Sequence, residues 1–229
     1  MTIGARNWLP AIRFAVGVAI VATSGGVLAG ALDRLYVGGS IGATSASATD
    51  TNDTRCDFEF DHRGGADTAF GVEAGYRFLP YLAAEFAYLN GGQPEWRQRF
   101  VYVAGLDGSY NSYAKVDIAA AELSAVGILP FARIWEAYLR VGVAHYGADA
   151  HQMLVSRFDG TAVTQTFSRN ATVFLRGLGI GMAPTQHVSL RVELQSFPID
   201  EKVLRAHGNA VVDTVLIEIQ YHFRGADAR

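Results

Sequence analysis

The stretch "GYRFLPYLAAEFAY", Gly75 to Tyr88, decides the fold. On both sides of Leu79-Pro80 the apolar residues alternate: Tyr76 and Phe78 before it, Leu82, Ala84, Phe86 and Tyr88 after it. Arg77 and Glu85 hold the opposite parity, so the stretch reads as two strands, each with one apolar and one polar face, joined by an abrupt turn. Similar tight breaks recur at Leu129-Pro130 and Ala183-Pro184. Proline's fixed φ and missing donor do no harm in such turns, because no ladder hydrogen bond is lost there.

Working outward, the same alternation appears in eight segments: "LYVGGSIGAT", "TAFGVEAGYRF", "LAAEFAYLN", "AKVDIAAAELSAVGI", "WEAYLRVGVAHY", "TVFLRGLGIGM", "VSLRVELQSF" and "VDTVLIEIQYHF". Their connections are long after the first, third, fifth and seventh, and short after the second, fourth and sixth. Short turns therefore gather at one end of the structure and long loops at the other. An even strand count with this polarity predicts an all-β, eight-stranded antiparallel up-and-down transmembrane β-barrel over residues 32–229. In hydrocarbon an unpaired backbone N–H or C=O costs several kcal/mol, so a sheet survives there only by closing on itself.

Composition points the same way. Half of the 229 residues are apolar and only 18% are charged, lean for a surface that meets water everywhere. A net charge of −3 without a basic block argues against nucleic acid as a partner. Arg6 and Arg13 precede the small, apolar run "FAVGVAIVATSGGVLAGA", which ends in Ala29-Gly30-Ala31, so residues 1–31 read as a secretory signal peptide cleaved after Ala31. The rival, a membrane anchor, fits less well because the strongly apolar part falls short of the roughly 20 residues a spanning helix needs. Cys56 is the sole cysteine and excludes an intramolecular disulfide.

The two faces of each strand separate by charge. An Arg or Lys facing lipid at mid-depth costs roughly 2–4 kcal/mol, so charges are expected in the lumen. The expected network is Glu73, Arg77, Glu85, Glu122, Glu136, Arg140, Arg176, Arg191, Glu193 and Glu218, paired in a tube too narrow for an open channel. Catalytic carboxylates are the rival reading of the same residues, less economical because acids or bases line every strand but the first. Asp117 and Glu122 fall on opposite parities of one strand, which calls for a bulge or for an upper segment outside the membrane. Aromatic residues cluster near strand ends as interfacial belts do: Phe78, Tyr81, Phe131, Trp135 and Phe223 at the turn end, Tyr88, Tyr113, Tyr146 and Phe197 toward the loops.

These residues resemble the eight-stranded outer-membrane barrels typified by the membrane domain of outer membrane protein A and its small, adhesin-like relatives. The resemblance covers about residues 34–223 and rests on "GYRFLPYLAAEFAY" and the closing "LIEIQYHF". It implies residence in a bacterial outer membrane amid lipid and lipopolysaccharide. Tyr221 and Phe223 match the family's terminal signal to the barrel-assembly machinery, although here "RGADAR" follows. Monomers without cofactor or metal are expected. The long loops "RFVYVAGLDGSYNSYAKV" and "HQMLVSRFDGTAVTQTFS" each hold an Asp-Gly step, Asp107-Gly108 and Asp159-Gly160, between β-prone runs. Projecting ribbons with exposed edges would suit an extracellular protein or host-surface partner, and plain solvated loops are the equal alternative.

Two other classes remain open at this level. Lipid A deacylases on such barrels carry a His-x-Ser-Asn signature with a later Glu; His187, Ser189 and Glu193 come nearest, with Leu190 in place of the Asn and at the turn end. His62, His145, His151 and His207 stand singly and show no metal-ligand spacing. A soluble eight-stranded carrier of an apolar ligand would show the same alternation with the apolar faces turned inward.

Overall fold

The structure, a computed structural model, describes residues 34–50, 65–100, 110–156, 158–199 and 208–223. The expected signal peptide, Cys56, His62, the Asp107-Gly108 step and His207 lie outside the described residues. The strands are β1 (Leu35–Asp50), β2 (Asp67–Leu79), β3 (Leu82–Asn90), β4 (Glu95–Phe100), β5 (Tyr110–Pro130), β6 (Trp135–Ser156), β7 (Ala162–Met182), β8 (Val188–Ile199) and β9 (Gly208–His222).

Neighbouring strands are antiparallel in the order β3-β2-β1-β9-β8-β7-β6-β5, and pairing of β3 with β5 closes the cylinder. β4 continues the stave begun by β3, pairing with β5 from Glu95↔Lys115 to Phe100↔Tyr110. The eight expected staves are thus present, the third in two pieces. Pairing followed once round the barrel from Leu35 returns to β1 at Ser45, a stagger of ten residues. For eight strands that stagger corresponds to a tilt of about 40°.

The break in the third stave has a local cause. Gly92 adopts φ 69°, where a non-glycine residue is strained. The Asp67 carboxylate accepts hydrogen bonds from the N–H groups of Gln93 at 2.6 Å and Thr68 at 2.8 Å. These bonds hold its pKa below the ordinary 3.8, the Gln93 N–H contributing most. Gly91 N–H donates to Ile118 O at 2.8 Å and Ile118 N–H to Gly92 O at 3.1 Å, so the bulge stays stitched to β5.

The outer face changes character part-way up the staves. On β9, Tyr221, Ile219, Ile217 and Val215 are exposed apolar side chains, and Asp213 follows. On β6, Leu139, Val141 and Val143 give way to His145, Asp149 and His151; on β7, Ile180, Leu178 and Phe174 give way to Thr172, Asn170 and Ser168. The apolar band from Phe223 to Val215 rises roughly 21 Å on strands tilted about 40°, near the ~25 Å apolar belt of outer-membrane barrels.

The inner face inverts in the opposite sense. Within the belt the inside is polar, with Glu85, Glu122, Arg140, Arg191, Glu193 and Glu218 buried. Above it the inside is apolar: Val116, Ile118, Tyr146, Ala148, Leu175, Phe197 and Val212 form one buried cluster. A barrel wall in lipid turns apolar groups outward, whereas a wall in water must turn them inward. This inversion resolves the conflict between Asp117 and Glu122. β5 pairs with β6 without interruption from Tyr110↔Ser156 to Pro130↔Glu136, so no bulge intervenes. Glu122 points inward at belt height and Asp117 outward above it. The apolar exterior also overturns the soluble-carrier alternative, since Leu123, Leu139, Phe174 and Ile217 are each more than half exposed.

Candidate functional site

The lumen is organised on Arg140, which β6 aims inward and which is fully buried. Its Nε lies 2.6 Å from Glu193 Oε1, and its Nη2 lies 2.9 Å from Glu193 Oε2 and 2.7 Å from Glu85 Oε2. Nη1 donates to Ser124 Oγ at 3.1 Å. One guanidinium thus ties β6 to β3 and β8 across the tube. Arg191 donates from Nη1 to Glu85 Oε1 at 2.9 Å, and its guanidinium sits 4.7 Å from the centre of the Tyr138 ring. Tyr36 donates its hydroxyl hydrogen to Glu85. Gln220 Nε2 donates to Glu73 Oε1 at 2.6 Å, and Arg77 Nη2 to Glu136 Oε2 at 3.1 Å.

Space for the two tyrosines comes from glycines on neighbouring staves. A Cβ on Gly75 would lie 2.1 Å from the Tyr36 ring, and one on Gly179 2.6 Å from that of Tyr138. Parity places Gln220 on the lumen face with Glu218, whereas Tyr36 and Ser124 carry no charge to mark them in the sequence. For Ser124 parity was the available signal, since it shares a face with Glu122; β1 offers Tyr36 no such neighbour among its described side chains.

Nine of the ten residues expected in the lumen point there. Arg176 does not: it is exposed on the outer face of β7, on the parity of Phe174 and Leu178, beside Val141 and Ser196 on the adjacent strands. It stands near the top of the apolar belt, where a long side chain reaches the headgroup region and the charge costs at most about 1 kcal/mol. Glu122 points into the lumen, and neither of its carboxylate oxygens has a hydrogen-bond partner there.

The aromatic residues divide too. Phe78, Tyr81, Phe131, Trp135 and Phe223 are all exposed at the turn end, and Tyr88 lies on the outer parity of β3. Tyr146 and Phe197 are instead buried inside, 6.0 Å apart between ring centres. Tyr113 faces outward but sits above Asp117, opposite Met153, well clear of the belt. Tyr221 and Phe223 pack edge to face at 5.6 Å on the exterior at the turn end.

The residues nearest the deacylase signature are kept apart. His187 is exposed in the turn, its ring stacked on Tyr221, whereas Glu193 is buried against Arg140. Ser189 approaches His222 at 3.0 Å, but its hydroxyl is buried and donates to Gln220 Oε1. Among the described residues, no group of three His, Cys, Asp or Glu side chains is placed to hold a metal ion.

Above the belt, β6 and β7 continue as a ribbon closed at Asp159-Gly160. Gly160 has φ 70°, and Asp159 Oδ1 accepts from Thr161 Oγ1 at 2.7 Å and Thr161 N–H at 3.1 Å, which with Ser156 pulls its pKa down to about 2. β7 pairs with β6 from Ala162 to Met182, but with β8 only from Arg176 onward. Its upper part, Ala162 to Leu175, therefore has a second edge with no ladder partner among the described residues.

The family model for the outer membrane protein β-barrel domain matches residues 14–223. Among solved structures, the attachment invasion locus protein Ail of Yersinia pestis is 15% identical, with 82% of this chain and 98% of that chain covered at a TM-score of 0.44. Neisserial surface protein A is 14% identical, with 82% and 96% covered at 0.46. OprG of Pseudomonas aeruginosa is 14% identical, with 84% and 97% covered at 0.48. These likenesses concern the fold alone. Among curated proteins none matches. With the family match spanning nearly the whole chain and an apolar belt around a polar, closed lumen, this chain belongs to the outer-membrane β-barrel family and is an integral protein of the bacterial outer membrane.

Proposed function

We propose that this barrel is a non-enzymatic, monomeric surface-interaction protein. Its rigid, plugged cylinder holds an extracellular β-ribbon, which pairs along β7 with an extended segment of a protein on another surface. The observation that carries this reading is the upper part of β7, Ala162 to Leu175, whose strand ladder among the described residues runs to β6. Natural sheet edges are blunted by Lys, Pro or several charges. This edge, "AVTQTFSRNATVFL", has no Lys or Pro and a single charged residue, Arg169. Backbone groups on such an edge supply affinity by strand addition. The cross-lumen ties of Arg140 support a closed tube without a wide pore, and the burial of Ser189 supports the absence of hydrolytic chemistry. Exterior Tyr221 and Phe223 suit docking on the barrel-assembly machinery.

The test replaces residues 151–167 by a two-residue turn and compares cell binding, serum survival and envelope permeability with the parent strain. Lost binding with unchanged permeability supports the proposal. Unchanged binding rejects it, and altered permeability with intact binding assigns the protein to envelope maintenance instead.

A further inference from the structure

The upper part of the polar lumen contains a small cavity bordered by Ser40, Glu73, Glu122, Gln195, Leu216 and Glu218. Its roof is apolar, formed by the cluster of Ala69, Leu89 and Leu216, which separates it from the extracellular side. The volume open to the centre of a water-sized particle is about 10 Å³, room for one occupant. Four buried oxygens on this wall lack a hydrogen-bond partner: Glu122 Oε1 and Oε2, Glu218 Oε2 and Gln195 Oε1. They come from three staves, β5, β9 and β8, and the three side chains are between 1% and 4% exposed. All four atoms are acceptors.

We infer that this cavity is a binding site for a single dehydrated monovalent cation of about the size of sodium, held by Glu122, Glu218 and the side-chain oxygen of Gln195. The charge balance of the lumen favours such an occupant. Among the described residues, six lumen glutamates face three arginines, and those arginines are engaged chiefly elsewhere: Arg140 with Glu85 and Glu193 and, at 3.7 Å, with Glu73, Arg191 with Glu85 and Glu136, Arg77 with Glu136. Glu218 Oε1 is 4.0 Å from Arg140, at the limit of an ion pair, and Glu122 has no such contact. A water molecule in the cavity would donate at most two hydrogen bonds to four oxygens. A cation bound through oxygen lone pairs addresses all four atoms and the charge together. A divalent ion fits less well, since it favours six or more oxygens or retained waters, for which the cavity has no room.

The ion is enclosed when the barrel closes, so it stabilises the folded state by mass action. The experiment measures unfolding of the full mature chain in detergent, with sodium chloride exchanged for choline chloride at constant ionic strength, choline being too large for the cavity. The expected result is an unfolding midpoint that rises with sodium in the parent, a loss of that rise in Glu122→Gln, and its retention in Glu136→Gln, which lies below the cavity. In parent crystals soaked in thallium(I), an anomalous peak is expected between Glu122 and Gln195. Equal midpoints in the two salts, a midpoint that follows pH alone because a carboxyl proton fills the role, a sodium response that survives Glu122→Gln, or no thallium peak would each overturn the assignment.

Discussion

Single residues in this barrel divide into those whose charge is answered and those whose charge is exported. Arg140 is the extreme of the first kind, buried and in contact with Glu85 and Glu193 at once. Arg140→Met removes the cation and leaves two carboxylates facing each other in a dry tube. The expected loss is about 3–5 kcal/mol, the range for removing one partner of a buried pair, read as a lower urea midpoint for folding into detergent micelles. Arg176 is of the second kind. Arg176→Leu is expected to change bilayer stability by less than about 1 kcal/mol, in the stabilising direction. A loss comparable to that of Arg140→Met would place its side chain in the lumen after all.

At the scale of the element, the third stave shows how a strand is broken without opening the wall. Gly92 carries the positive φ, and a Cβ there would lie 2.6 Å from Thr68 O. Gly92→Ala is expected to cost about 1–3 kcal/mol, measured by the same unfolding assay. The Asp67 carboxylate holds the junction from the other side, and its pKa is lowered by the N–H groups of Gln93 and Thr68. A lowered folded-state value means the stabilisation is fully present above the unfolded value near 3.8 and is lost as pH falls through the lower, folded one. The Gln93 amide resonance is therefore expected to titrate with a midpoint below 3.8, and Asp67→Asn to abolish that titration.

For the whole molecule, the decisive property is that inside and outside exchange character at the upper rim of the belt. Spin labels at Leu139, Leu194 and Ile217 are expected to meet a lipid-soluble relaxation agent, and labels at Asp149 and His151 a water-soluble one. The crossover on β6 should fall between Val143 and His145. Water-soluble access at Ile217 or lipid access at Asp149 would contradict the boundary. The same inversion gives the extracellular ribbon its footing. The apolar cluster around Tyr146 and Phe197 acts as a soluble-type core immediately above the membrane.

Strand count, membrane polarity and most of the lumen were legible in the sequence, because side-chain direction in a strand has a period of two and a bilayer penalises a charge on the wrong parity. Glu85, Arg140, Glu193 and Glu218 follow from that rule with no knowledge of their partners. Arg176, Tyr146 and Phe197 escaped it for one reason: parity placed each of them correctly, but charge and aromaticity were allowed to overrule parity. That preference holds only at mid-depth, and depth depends on stagger and tilt, which emerge when all eight staves close. The break at Gly91–Pro94, the reach of β7 beyond its ladder with β8 and the convergence of Glu122, Gln195 and Glu218 on one cavity likewise belong to the closed cylinder. They join residues far apart in the chain, and local periodicity carries no information about which staves become neighbours or at what height.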